Sequence, residues 1–181
     1  PMINKQKEQS PKTFQRGKSY LMHLVSRSAK TSYEIRQKLR RSDYNEDIVD
    51  QVIEFGKNYD FIDDQSYTIR WLKSCASRKF YGKIKCIQEL KKKGIDTEII
   101  NEQIELFFDD KEISEYQIAL DYLSKKRHLI KGKDLYQQKQ KASRILFQRG
   151  FSMDVINPVI NDYFDSDFNS DNNNSYQKRI F

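Results

Sequence analysis

Positively charged side chains are concentrated in two stretches of the sequence, residues 73–93 and 125–149. The only acidic residues within them are Glu89 and Asp134. Clustered Lys and Arg bind phosphate backbones or acidic protein grooves, and the formal net charge of +7 agrees with an anionic partner. The predicted contact residues are Lys73, Arg78, Lys79, Lys83, Lys85, Lys91, Lys92, Lys125, Lys126, Arg127, Lys139, Lys141 and Arg144. The alternative interpretation is an ordinary solvated face rich in lysine.

Three aromatic residues adjoin these basic stretches: Phe80, Tyr81 and Tyr136. Aromatic rings beside basic residues are candidates for stacking on nucleic-acid bases. Such residues more often close a small hydrophobic core, and the sequence favours that role here.

The sequence has none of the motifs that are typical of catalysis. A glycine-rich phosphate loop, a nucleophile elbow and an HExxH pair are all missing. His23 and His128 have no sequence neighbours that complete a metal or catalytic set. Asp63 and Asp64 lack the spacing of a calcium loop and are better suited to capping a helix. We therefore expect a protein without enzymatic activity, cofactor or metal ion.

Cysteine usage and hydropathy both indicate the cytoplasm. Cys75 and Cys86 fit neither a CxxC pair nor a four-ligand metal pattern, and we expect both to be reduced, structural thiols. No apolar run reaches the roughly 18 residues that a membrane span requires, and no signal-peptide core follows the polar start.

One helical pattern occurs three times in the chain. A leucine near the end of one helix is followed by a residue suited to ending that helix, and then by a residue that caps the next one. These positions are Leu39, Asp43 and Asn45, then Leu90, Gly94 and Asp96, then Leu146, Gly150 and Ser152. Each repeat also contains an upstream helix and a middle helix. The middle helix opens at Thr31, in a capping box with Glu34, in the first repeat, and at Gly82 in the second.

The pattern predicts an all-α protein of three tandem three-helix repeats, stacked in an elongated curved array. Units of about 50 residues bury little surface alone, and stacking lets neighbours share a core. The predicted boundaries are a flexible N-terminal extension at 1–18, repeat 1 at 19–58, repeat 2 at 59–108, repeat 3 at 109–164 and a disordered tail at 165–181. Stacking of equivalent helices would align the two basic stretches into one stripe on repeats 2 and 3.

Several of these residues, taken in order, resemble the RecX family. The most specific passage runs from Tyr81 to Ile95 and is similar to the central family signature, with its glycine, its Glu-Leu pair and its Lys-Gly-Ile ending. The passages 59–64 and 149–152 and the aromatic Trp71 also match. The chain departs from the family pattern at Asp43 and Asp60, where the family more often has glycine.

The resemblance implies a regulatory protein that binds the RecA recombinase and its filament on single-stranded DNA. Such a protein inhibits filament extension and with it ATP hydrolysis, strand exchange and co-protease activity, in DNA recombination, repair and the SOS response. We expect a monomer with no membrane contact. Two alternatives stay open: a helical-repeat protein that binds single-stranded DNA or RNA directly through the basic stripe, and a scaffold for an unrelated acidic partner.

Overall fold

The computed structural model describes the backbone of residues 11–109 and 114–177, and the side chains of 11–108 and 114–165. Within these ranges all regular structure is helical. The chain forms two compact units. The first contains the residues up to Tyr67 together with Lys93–Ile95, and the second contains residues 68–92 and those from Asp96 onward.

The helices follow one another in groups of three, which confirms the prediction of three all-α repeats. They are α1 (Phe14–Arg27), α2 (Ser32–Arg41), α3 (Glu46–Asn58), α4 (Asp64–Ser74), α5 (Lys83–Lys92), α6 (Thr97–Asp109), α7 (Glu115–Lys125), α8 (Leu135–Gln148) and α9 (Met153–Gln177). A π-helical turn, Cys75–Lys79, follows α4, and a 3-10 turn, Arg127–Leu129, follows α7. None of the helices in the described ranges is long and apolar enough to span a membrane.

The predicted capping residues begin their helices as expected. Thr31 and Glu34 form a reciprocal capping box at the start of α2. The side chain of Asn45 accepts the amide proton of Ile48 at the start of α3, at 2.9 Å. Behind these caps the first unit buries an apolar core that includes Leu21 and Val49.

The residues that end the middle helices all have left-handed backbones. The φ angles are 59° at Asp43, 69° at Gly94 and 82° at Gly150. Asp60, the other departure from the RecX pattern, has a φ of 58°. Aspartate tolerates this conformation better than most residues with a Cβ atom, so both departures preserve the backbone that a glycine would adopt.

Two predicted boundaries differ from the helices. Helix α1 starts at Phe14, inside the extension predicted for 1–18, because Thr13 caps it and the buried Gly17 lets it pack closely on Val52. The backbone of α9 is helical as far as Gln177, past the start of the tail predicted for 165–181. Residues 1–10, 110–113 and 178–181, on which parts of the predicted boundaries fall, lie outside the described residues.

The start of a middle helix is held by the following repeat, and the arrangement is the same in both units. In the first unit, Ser32 at the start of α2 donates its backbone amide to the carboxylate of Asp64, at 2.8 Å. In the second unit, Lys83 at the start of α5 donates its amide to the carboxylate of Glu115, also at 2.8 Å. Asp64 and Glu115 are the first residues of α4 and α7, so each carboxylate satisfies an amide that a helix start leaves open.

A second contact joins the residue before each middle helix to the carbonyl before a left-handed glycine. Thr31 donates its hydroxyl proton to the carbonyl oxygen of Lys93, at 2.8 Å. Gly82 donates its amide proton to the carbonyl oxygen of Arg149, at 2.9 Å. We call the paired contacts at each helix start the repeat junction: Ser32–Asp64 with Thr31–Lys93 in the first unit, and Lys83–Glu115 with Gly82–Arg149 in the second.

We predict that Gly82→Ala destabilises the protein by about 1–3 kcal/mol, the usual cost of forcing extra atoms into a packed site. A Cβ atom at position 82 would lie 2.4 Å from the carbonyl oxygen of Gly150, and backbone cannot move aside cheaply. Urea unfolding followed by circular dichroism measures the change. Gly132→Ala is the matched control, since the nearest atom to its added Cβ is 3.1 Å away. Equal loss of stability in both variants would contradict the prediction.

Candidate anion-binding surface

The structure places every predicted contact residue in the second compact unit. Four segments carry them: the end of α4 with its π-helical turn, α5, the end of α7 with its 3-10 turn, and α8. In that order the residues are Lys73, Arg78 and Lys79; Lys83, Lys85, Lys91 and Lys92; Lys125, Lys126 and Arg127; and Lys139, Lys141 and Arg144. Most are exposed to solvent, whereas Lys85, Lys126 and Lys139 are half-buried.

Some of these cations already have partners within the protein. Glu89 forms ion pairs with Lys92 at 2.9 Å and with Lys85 at 3.5 Å. The hydrogen bond from Lys92 holds the pKa of the Glu89 carboxyl below its usual value. Lys141 donates to the carbonyl oxygen of Lys131 at 2.6 Å. Because these three lysines are committed internally, an external anion would compete for them with a neighbouring protein group.

Other cations are exposed and have no carboxylate partner. Arg78, Lys91 and Arg144 form no ion pair within the part of the chain that the structure describes. Lys91 lies about 100° around α5 from the buried Leu90, Arg144 lies about 160° around α8 from the buried Leu146, and both side chains are exposed. They are therefore directed outward and can bind an anion without losing an internal contact.

The π-helical turn after α4 places one basic segment in an unusual backbone. The carbonyl oxygen of Cys75 accepts the amide protons of Phe80 and Tyr81, which closes the turn. Phe80 has a φ of 52°, in the left-handed region that bulky side chains rarely adopt. Strained residues and π-helical turns are concentrated at functional sites in proteins. The turn thus marks residues 78–81 as the most distinctive part of the surface.

Cations lie over the aromatic rings around this turn. The ammonium of Lys79 is 5.3 Å from the ring centre of Trp71 and 5.7 Å from that of Tyr81. The ammonium of Lys125 is 4.2 Å from the ring centre of Phe80. Contacts of this kind restrain flexible basic side chains at a small energetic gain each. We refer to Trp71, Lys79, Phe80, Tyr81, Tyr122, Lys125 and Arg149 as the cation–aromatic cluster.

The cluster changes the interpretation of the three aromatic residues. Phe80 packs against the core of the second unit and carries Lys125 over its ring. Tyr81 is half-buried with Lys79 and Arg149 near its ring. Phe80 therefore has the core role favoured by the sequence, whereas Tyr81 is not among the residues of the core cluster. Tyr136 is 71% exposed and its ring is open to solvent.

Arg149 was absent from the predicted contact set, yet it organises this site. Its Nε donates to the hydroxyl oxygen of Tyr122 at 2.9 Å, and its Nη1 donates to the carbonyl oxygen of Lys79 at 3.0 Å. The guanidinium carbon also lies 4.7 Å from the ring centre of Tyr122. The signal available in the sequence was its position directly before the left-handed Gly150, where its backbone also joins the repeat junction.

Glu115 fixes the first residue of α5 from a partly buried position. Burial raises the pKa of the Glu115 carboxyl, and the hydrogen bond from the Lys83 amide partly offsets this effect. The backbone of Lys83 is therefore held in place while its side chain stays exposed.

The two cysteines lie beneath the surface and are buried and free of disulfide. A hydrogen bond between the Cys86 and Cys75 thiols, together with burial, raises the pKa of Cys86 well above its usual value. Both thiols are thus packed in the interior of the second unit. Among the described residues, no group of His, Cys, Asp and Glu is arranged to hold a metal ion.

Family models match the chain in three places. The model of the first RecX three-helix domain matches residues 18–55, that of the second matches 63–102 and that of the third matches 114–160. Regulatory protein RecX of Clostridium beijerinckii is 38% identical over 149 residues, a match that covers 81% of this chain and 68% of that protein. The chain belongs to the RecX family. The corresponding protein of Clostridium acetobutylicum is 34% identical over 148 residues, with the same coverage of both chains.

Two solved RecX structures have the same fold. The crystal structure of RecX from Lactobacillus salivarius superimposes with a TM-score of 0.72 at 23% identity, and covers 83% of this chain and 96% of that one. A second RecX crystal structure gives a TM-score of 0.70 at 22% identity, and covers 81% of this chain and 72% of that one. The resemblance predicted from the sequence is confirmed, and the RecX domains coincide with the three groups of helices.

Arg149 offers a test of how this RecX-family surface is held together. We predict that Arg149→Lys lowers the free energy of unfolding by about 1.5–3 kcal/mol, the range for hydrogen bonds that involve a charged group. Lysine keeps the charge but lacks the planar guanidinium, which reaches Tyr122 and Lys79 through two separate nitrogens. Urea unfolding measures the loss. Arg144→Lys is the control, because Arg144 is exposed on the adjacent turn of α8. A change below about 0.5 kcal/mol in both variants, as is usual for surface sites, would contradict the role assigned to Arg149.

Proposed function

We propose that this chain binds the RecA recombinase and its filament on single-stranded DNA, and that it inhibits filament extension. Loss of ATP hydrolysis, strand exchange and co-protease activity follows from that inhibition. The observation that carries the proposal is the basic surface of the second unit, organised around the cation–aromatic cluster, in a member of a family whose relatives are named regulatory proteins.

Charge supplies the recognition in this proposal. Exposed cations such as Arg78, Lys91 and Arg144 attract an anionic groove and orient the protein as it approaches. The filament offers two kinds of anion, the acidic side chains of the recombinase and the phosphates of its DNA. A surface of this charge is suited to a groove that presents both.

Rigidity turns binding into inhibition. The repeat junction fixes the start of α5, and Arg149 fixes the turn at residues 78–81 relative to α8. A rigid unit that bridges adjacent filament subunits hinders the rotation or exchange of subunits that growth and turnover require. Inhibition by this route needs no catalytic residue, and we propose a non-enzymatic monomer that acts in the cytoplasm without a cofactor.

A second candidate function is direct binding of single-stranded DNA or RNA. The observation that favours it is the exposed ring of Tyr136, which lies on α8 together with Lys141 and Arg144 and can stack on a base. Tight binding in the absence of the recombinase, with an affinity that falls steeply with salt, would support this candidate. If the immobilised protein retained neither DNA nor recombinase, the remaining candidate would be a scaffold for an unrelated acidic partner.

We predict sub-stoichiometric inhibition of the DNA-dependent ATPase activity of RecA. In the variant Lys91→Glu/Arg144→Glu, half-maximal inhibition should require on the order of tenfold more protein, because tenfold corresponds to about 1.4 kcal/mol of lost binding energy. A coupled ATPase assay on preformed filaments measures both effects.

The matched control is Lys57→Glu/Arg41→Glu, which changes the net charge equally on exposed residues of the first unit. It should inhibit like the unmodified protein. An unchanged ATPase rate at saturating protein would refute the proposed inhibition. Equal loss in both double variants would show that net charge, and not this surface, is responsible.

A further inference from the structure

A cavity of about 410 Å³, open to solvent, lies in the first unit, and none of its lining residues belongs to the predicted contact set. Its lining residues are Lys12, Arg16, Ser19, Tyr20, Ser42 and Tyr44. Small-molecule sites in proteins typically enclose about 300–1,000 Å³. The cavity is therefore large enough for an organic ligand and is not limited to a single ion.

The charge of this cavity favours an anion. Lys12 and Arg16 contribute positive charge, and no residue of the lining is acidic. Neither cation forms an ion pair within the described part of the chain. A neighbouring cavity on α2 differs in this respect, because its lining includes Glu34, which already pairs with Lys93 at 3.1 Å.

One wall of the cavity is held by the helix stop between α2 and α3. The amide of Tyr44 donates to the carbonyl oxygen of Leu39, and Ser42 also donates its amide to this carbonyl group. Asp43, between them, has the left-handed backbone described above, and both Ser42 and Tyr44 line the cavity. A site with fixed walls loses little entropy when a ligand binds.

Two of the lining residues, Tyr20 and Tyr44, are aromatic. The rings of Tyr20 and Tyr44 are nearly parallel, with an interplanar angle of 9° and 6.4 Å between their centres. The ammonium of Lys12 lies 5.1 Å from the ring centre of Tyr44. Lys12 therefore lies over one face of the Tyr44 ring, and the lining combines a cation with aromatic rings, which suits a ligand with a phosphate attached to a planar ring.

We propose that this cavity binds a nucleotide, with Lys12 and Arg16 on the phosphate and the tyrosine rings against the base. Ser42 belongs to the same lining and its hydroxyl can donate to the phosphate or the sugar, whereas the Ser19 hydroxyl already donates to the carbonyl oxygen of Gln15 at 3.2 Å. A free nucleoside monophosphate and a nucleotide within a single strand share this chemistry. This site is separate from the proposed regulatory function, because its residues belong to the first unit and the predicted contact residues belong to the second. It can also be tested without recombinase.

The experiment is a nuclear magnetic resonance titration of the full chain with three probes. They are deoxythymidine monophosphate, deoxythymidine without phosphate, and a short oligodeoxythymidylate. The monophosphate should shift the amide resonances of Ser19, Ser42 and Tyr44 in a saturable way, and deoxythymidine should leave them unchanged. If the monophosphate and the strand bind with equal affinity, a free nucleotide is sufficient to occupy the site. If the strand binds more tightly at these amides, the ligand is a nucleotide within a strand. Both outcomes support the site.

A matched pair of variants separates the cavity from general electrostatics. Arg16→Gln should weaken binding at these amides on the order of tenfold, as expected when a charge-assisted hydrogen bond is lost. Arg27→Gln removes the same charge at the exposed far end of α1 and should leave the affinity unchanged. The proposal is overturned if neither phosphate-bearing probe shifts these resonances, if deoxythymidine shifts them equally, or if Arg27→Gln weakens binding as much as Arg16→Gln.

Discussion

The rest of the structure depends on one interaction between successive repeats. The first helix of a repeat supplies a carboxylate to the start of the middle helix in the repeat before it. A helix start leaves backbone amides without partners, and it also carries the positive end of the helix dipole. Asp64 satisfies this need for α2, and Glu115 satisfies it for α5. A hydrogen bond to a charged group contributes about 1.5–3 kcal/mol, which exceeds the typical contribution of an exposed ion pair.

The second junction connects this constraint to the candidate anion-binding surface. Gly82 precedes α5 and contacts the carbonyl oxygen of Arg149, and the side chain of the same arginine binds the turn that carries Lys79. A displacement of α5 relative to α8 would therefore disturb the cation–aromatic cluster. The individual cation–π contacts are worth about 0.5–1 kcal/mol at exposed sites, so they refine the positions of the cations but do not set them. The backbone contacts of the second junction set these positions.

Local patterns in the sequence were sufficient to predict the helices of this fold. The contacts between residues far apart in the sequence could not be predicted from such patterns. The capping box of Thr31 and Glu34 and the helix stops at Asp43, Gly94 and Gly150 are local, and each was predicted correctly. The partner of Asp64 lies 32 residues away, at Ser32, and no spacing rule indicates it. For the same reason Arg149 was missed, since its importance comes from Lys79, which is 70 residues distant. The half-buried state of Lys139 likewise depends on packing and not on sequence spacing.

Hydrogen–deuterium exchange of the full chain, with and without RecA filaments assembled on single-stranded DNA, tests the proposed binding surface most directly. Amide exchange reports local opening and is slowed where a partner covers or rigidifies the backbone. We expect filaments to slow exchange in residues 78–92 and 135–149, on both sides of the second junction. Protection confined to the first unit, or no change in the second unit at saturating filament, would contradict the assignment of the binding surface.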